Sequence, residues 1–143
     1  MRSAAIDLGS RRIGVAVSDR GGTLASPRCT LERSGDADAD RAAVVAAVLE
    51  AGAEHLIVGL PLSLDGRRRQ AARAAETEAD ALRALLAPRG VAVETFDERF
   101  TTVSAERSLV AAGHGGKARR RVVDQAAAAV LLQAWLDTRR PRP

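Results

Sequence analysis

Tyrosine is absent from this chain, and Phe96, Phe100 and Trp135 are its only aromatic residues, 2% of the total. Proteins that hold single-stranded nucleic acid by stacking its bases need aromatic platforms, so that mode of binding is disfavoured. Cysteine is nearly absent too: Cys29 alone cannot form an internal disulfide or build a zinc cluster. No apolar stretch approaches the ~18–20 residues of a membrane helix. The opening MRSAAIDLGS lacks the apolar run of a signal peptide. A soluble, cytoplasmic protein without membrane contact is expected. There is no G-x-x-x-x-G-K-[ST] phosphate loop and no G-x-S-x-G elbow. His55 and His114 have no metal-binding spacing.

What remains is a chain of 143 residues, 46% hydrophobic, which fits one domain spanning 1–143 around a packed core. The net charge is +4 and the sequence pI about 10.8. Basic residues cluster at Arg67 to Arg69, at Lys117 to Arg121 and at Arg139 to Arg142. Such clusters neutralise phosphates and draw in nucleic acid. Lys117 is the only lysine against 30 alanines, a compositional skew that weakens arginine richness as evidence.

Ser3 to Gly9 reads as a short apolar strand. Ile13, Val15 and Val17 alternate with small residues as a second, and Thr23 to Leu31 forms a less regular third around Pro27. Asp36 or Asp38 caps a helix presenting Val44, Val45, Val48 and Leu49, stopped by Gly52. His55 to Gly59 has the β-branched run of a buried parallel strand. A loop, Leu60 to Gly66, leads to a second helix with Leu82, Leu85 and Leu86, closed by Pro88 and Gly90. Val91 to Phe96 is a further strand. Thr102 caps a third helix that ends near Gly113. The basic loop GHGGKARRR precedes a last helix from about Arg120 to Asp137. The order βββαβαβαα gives an α/β fold: a mixed sheet with helices on its faces.

Carboxylates stand out against this frame. Asp7 ends the first strand; the bland reading is an acid closing a turn with Ser10 or Arg12. Asp124 shares a helix face with Ala127, Ala128, Leu131 and Trp135, so it lies on the buried side. A buried carboxylate needs a cation or a donor; an ion pair to Arg99 or Arg121 is the plain alternative. Asp97 and Glu98 sit where a strand gives way to a helix and could merely cap it. Acids at strand ends and on a core-facing helix suggest a cage for Mg²⁺ or Mn²⁺, which prefer oxygen ligands. Two such ions activate a water and stabilise the leaving oxygen of a phosphodiester. Arg11, Arg12, Arg99, Lys117, Arg119, Arg120 and Arg121 are the candidates to hold substrate phosphates.

Four blocks carry a family resemblance: Ala5 to Asp19 (AIDLGSRRIGVAVSD), Ile57 to Gly66 (IVGLPLSLDG), Asp97 to Thr102 (DERFTT) with Ala105-Glu106-Arg107, and Lys117 to Asp124 running on to Gln133. In this order they resemble the YqgF/RuvX family, described as nucleases of precursor 16S ribosomal RNA or as Holliday junction resolvases. The resemblance implies a ribonuclease-H-like fold, a five-stranded mixed sheet flanked by helices. It also implies divalent-metal cleavage of phosphodiesters, with the family's acidic positions falling on Asp7, Glu98 and Asp124. Ser10, Ser63, Leu64 and Phe100 are small departures, and none removes a carboxylate. In the wider superfamily, related resolvases carry a glutamate where this chain has Gly59. The second carboxylate must then come from Glu98 or Asp65, with Asp97 beside it.

The expected activity is that of a metal-dependent nuclease, a hydrolase processing the 5′ end of precursor 16S rRNA in ribosome biogenesis, in contact with ribosomal particles. Resolution of branched DNA and a non-catalytic role in ribosome assembly are the alternatives. The turn Asp7 to Ser10 also resembles the phosphate-binding turn of actin-like ATPases. Those need a second copy of the domain, and this chain has no second copy of the motif.

Overall fold

The computed structural model describes residues 1–61, 70–101 and 117–139. Three strands open the chain, β1 (Ser3–Leu8), β2 (Arg12–Ser18) and β3 (Ala25–Glu32). Helix α1 (Ala37–Glu50), strand β4 (His55–Leu60), helix α2 (Gln70–Leu86), strand β5 (Ala92–Asp97) and helix α3 (Lys117–Thr138) follow. The five strands form one sheet in the order β3-β2-β1-β4-β5. β1–β2 and β2–β3 pair antiparallel, β1–β4 and β4–β5 parallel. The mixed sheet expected from the hairpins and crossovers is the one observed.

Side chains of alternate strand residues point to opposite faces, and that parity sorts the core. Ala4, Ile6, Ile13, Val15, Leu56, Val58 and Val93 meet Val44 and Val48 of α1 and Ala79, Leu82 and Leu86 of α2. Ala5, Ala16 and Ile57 meet Ala128, Leu131, Leu132, Trp135 and Leu136 of α3 on the other face. Helix α1 begins at Asp36, whose carboxylate accepts the Asp38 and Ala39 N–H groups. A bidentate pair from Arg41 to Glu78, at 3.0 and 2.8 Å, ties α1 to α2. On α2, Leu85 is 48% exposed rather than core-facing. Ala72, Ala75 and Ala79 are buried with Leu82 and Leu86, so small residues let this helix lie close.

The irregularity of β3 has a cause. Val15 pairs with Cys29 but Ala16 with Pro27, so Arg28 is an extra residue in the ladder. This bulge reverses the facing of the strand. Cys29 and Leu31 pack with the α1/α2 core, Ala25 with the α3 core. Pro27 is tolerated because β3 is an edge strand. Burial raises the Cys29 thiol pKa.

Helix α3 starts at Lys117, earlier than the expected Arg120; Lys, Ala and Arg are all good helix formers, and the basic run continues the helix. Gln133 fastens it to the β3 edge, accepting the Ala25 N–H at 2.9 Å and donating to the Thr23 carbonyl at 3.0 Å. Trp135 stacks at a tilt on His55, 5.7 Å between rings, and the Arg139 guanidinium lies 4.7 Å over it. No described helix is long and apolar enough to cross a membrane. The expected helix after Thr102 lies outside the described residues, as do Asp65, Arg67 to Arg69, Arg140 and Arg142.

Candidate active site

Asp7 is the last odd-numbered residue of β1, and with Ala5 it faces α3. It pairs with Gly14 across the ladder, within the strand, and is 1% exposed. The turn itself is closed by the Gly9 N–H donating to the Arg12 carbonyl at 2.9 Å.

Gly14 explains how α3 reaches this place. A Cβ on Gly14 would run into the backbone carbonyl of Asp124 and lie 3.2 Å from the Gln125 nitrogen. The helix therefore rests its backbone directly on β2, beside Asp7. Asp124 does sit on the α3 face, partly buried, as its helical position suggested. Among the described residues its ion-pair partner is Arg12. The Arg12 Nε donates to Asp124 Oδ2 at 3.0 Å, with side chains 14% and 18% exposed.

Glu98 follows the end of β5 and is 4% exposed. The pairing of Gly59 with Phe96 and of Leu60 with Asp97 sets the parity there. Phe96 packs with the α3 core, and Asp97, next along the strand, falls on the opposite side. Glu98 returns to the α3 side. A Cβ on Gly59 would collide with the Glu98 carboxylate and stand 3.0 Å from a Leu131 methyl. The carboxylate thus lies over the Gly59 backbone. The β1–β4 register ends at Ile6–Val58; one residue further sets Asp7 beside Gly59, a strand spacing of ~4.8 Å away. Two buried acids, one at the end of β1 and one just past β5, therefore flank the end of β4 on the same face, with the Glu98 carboxylate reaching over Gly59.

Asp97 has another task. Its carboxylate accepts the Arg99 N–H at 2.9 Å, capping the short 3₁₀ turn Glu98–Phe100, and pairs with the Arg99 guanidinium at 2.6 and 2.8 Å. The Arg99 hydrogen bonds hold its carboxyl below the ordinary carboxylate range. A depressed folded-state pKa gives stability that is present above ~3.9 and fades as pH falls through the folded value. Asp97→Asn keeps the cap and deletes the ion pair. Wild type should melt above this variant at pH 7 by about 1 kcal/mol of stability at most, given the partial exposure. The gap should close in acid below the ordinary carboxylate value. A gap that persists there would assign it to something other than the charge.

Arg11 is exposed at the β1–β2 turn, Arg12 is engaged with Asp124, and Arg99 with Asp97. Lys117, Arg119, Arg120 and Arg121 fall on the first turns of α3, and their side-chain positions lie outside the described residues. Among the described residues, no three His, Cys, Asp or Glu side chains come together closely enough to hold an ion. Asp7 and Glu98 supply two buried oxygen-donor groups on one face, a donor chemistry that fits a hard divalent cation. Asp124, the third candidate, faces Arg12. That partner, 112 residues away in the chain, had no signal in local sequence.

Comparison with known proteins agrees with this architecture. A model of the RuvX family, described as Holliday junction resolvase, matches residues 1–138. A Thermobifida fusca protein named "Putative pre-16S rRNA nuclease" is 52% identical over 143 residues, covering 95% of this chain and 87% of the relative. A Myxococcus xanthus protein of the same name is 43% identical over 141 residues, covering 99% and 91%. Among solved structures, T. thermophilus RuvC in complex with a Holliday junction substrate superposes with a TM-score of 0.60 at 18% identity, covering 97% of this chain and 95% of that one. Fowlpox virus resolvase in complex with Holliday junction DNA gives 0.60 at 8% identity, covering 96% and 98%. At such identities the likeness concerns the fold, which is ribonuclease-H-like. With a family match over nearly its whole length and relatives of this identity, the chain belongs to the RuvX family.

Proposed function

We propose that this protein is a metal-dependent nuclease that hydrolyses phosphodiester bonds of precursor 16S rRNA in the cytoplasm, in contact with ribosomal particles. The observation that carries the reading is the pair of buried carboxylates, Asp7 at the end of β1 and Glu98 just past β5, on either side of the end of β4 and on the α3 face. Like charges buried on one face repel, and a cation held by both carboxylates relieves that repulsion. Asp7, Glu98 and Asp124 would hold Mg²⁺ or Mn²⁺, and the bound ion would supply Lewis-acid chemistry at the phosphodiester. The chain's own contribution is positional: β1 and β5 fix two acids, and α3, seated on Gly14, carries the third. Arg11, Arg12 and the basic first turns of α3 orient the phosphates. The names borne by the relatives support the RNA substrate; the family's description supports branched DNA as the second reading.

The test is a side-by-side cleavage assay on precursor 16S rRNA and a four-way DNA junction, with Mn²⁺, Mg²⁺ or a chelator. We expect metal-dependent cleavage of the RNA, abolished by the chelator. Preferred cutting of the junction would move the function to resolution. Tight RNA binding without cleavage under any metal would make the protein a non-catalytic assembly factor.

A further inference from the structure

The β1–β2 turn, the end of β3 and the start of α1 enclose an open groove of about 560 Å³, linked to the α3 face through Arg12, which lines the groove and pairs with Asp124. Ser10, Arg11, Arg12 and Arg33 line it, with Glu32 and Asp40 as its acids. Asp40 is already engaged: it accepts the Ser34 N–H at 2.9 Å and the Ser34 hydroxyl at 2.8 Å. Arg33 is anchored through its backbone, whose N–H donates to the Arg11 carbonyl at 2.9 Å. Its Nε is buried and has no hydrogen-bond partner among the described residues. A buried N–H of a charged group is costly to leave unsatisfied, so Arg33 calls for an acceptor that a ligand brings. Guanidinium groups gathered in one groove match the oxygens of phosphate. Arg33 faces the carboxylate of Asp40 within the groove, whereas Arg12 reaches out of it to an ion pair with Asp124 Oδ2.

We propose that this groove seats the phosphodiester backbone of the substrate, and that Arg12 couples its occupancy to the acidic site. The proposal rests on the nuclease reading above. In the free protein Arg12 neutralises Asp124 and keeps it out of the carboxylate set. Phosphate held by Arg11 and Arg33 competes for the Arg12 guanidinium. Asp124, released, joins Asp7 and Glu98 around the cation. Each ion pair is exchanged for another, Arg12 with phosphate and Asp124 with metal, so no charge is left unpaired. The cation site is complete only when a substrate strand is present. Arg12 is thus a positioning residue, and Arg33 a further phosphate contact.

The experiment is calorimetric titration of Mn²⁺ into the protein, alone and with a short oligoribonucleotide whose intactness is checked on a gel afterwards. In wild type the oligonucleotide should raise Mn²⁺ affinity roughly tenfold, within the usual span of coupling between sites. In Arg12→Gln, Mn²⁺ alone should bind more tightly than in wild type, and the increment should fall to about twofold or less. Arg11→Gln deletes the same charge without touching Asp124, and should change Mn²⁺ affinity less than Arg12→Gln does. Asp124→Asn severs the pair from the helix side and should also remove the increment, which keeps the test open if Arg12→Gln fails to fold. An Arg12→Gln protein with wild-type Mn²⁺ affinity and a full increment overturns the coupling alone. Wild type that binds Mn²⁺ in neither arm overturns the nuclease reading, and the coupling with it.

Discussion

Asp7→Asn protein should lose metal-dependent cleavage by about 10³-fold, the scale seen when one electrostatic partner of a reacting centre is removed. Its melting temperature without metal should hold or rise. Asparagine keeps the size and much of the hydrogen bonding of aspartate, and it deletes one of two like charges buried on the same face of the sheet. Mn²⁺ that binds only the native state raises wild-type stability by mass action. In the variant that rise should vanish together with the activity. A purely architectural Asp7 predicts the opposite pattern: lower stability, and an undiminished Mn²⁺-induced shift. Melts of both proteins with and without Mn²⁺ decide the matter, and a full shift in the variant would remove Asp7 from the site.

The second large effect concerns glycines under α3. In Gly14→Ala the new methyl meets the Asp124 backbone carbonyl, which no rotamer change can move. Helix α3 must lift off β2, and we expect a loss of about 3 kcal/mol, the upper part of the range for overpacking. That corresponds to a fall of roughly 10 °C in Tm for a chain of this size. Gly59→Ala meets the Glu98 carboxylate, the far end of a flexible side chain. It should cost about 1 kcal/mol in stability while displacing one of the two buried acids, so activity falls and the fold stays. Thermal melts and cleavage rates measured on both variants should therefore separate. Equal stability losses would mean that the helix backbone does not rest on Gly14 as described.

The strands were legible because alternation survives in Ile13, Val15 and Val17, and because His55 to Gly59 is uniformly apolar as a strand covered on both sides must be. Asp36 as a cap was legible from its chemistry. The β3 bulge was not: Pro27 marked trouble, but the extra residue, Arg28, shows only in the pairing. Of the leucines on α2, Leu85 is exposed, because an alanine face buries this helix together with Leu82 and Leu86, and leucine positions alone do not show which face that is. Asp7 and Asp124 stood out as acids in apolar surroundings. Choosing between Asp97 and Glu98 needed the register against β4, since neighbours on a strand face opposite ways. The Arg12–Asp124 pair joins the second strand to the last helix, and no local pattern encodes a partner at that separation.

The packing of Glu98 over Gly59 has a further meaning. Gly59, near the end of β4, reads as a departure from related resolvases, with the second carboxylate to come from elsewhere. The space above that glycine is nonetheless filled by a carboxylate, delivered from the neighbouring strand. What persists is an address in space rather than an address in the chain. Two positions compete for it, and the competition is exclusive: a side chain at 59 and the present placement of Glu98 cannot coexist. A column-by-column alignment would record a missing ligand at 59 and an unrelated acid at 98. In three dimensions the space above position 59 belongs to the Glu98 side chain, and only a glycine there leaves room for it.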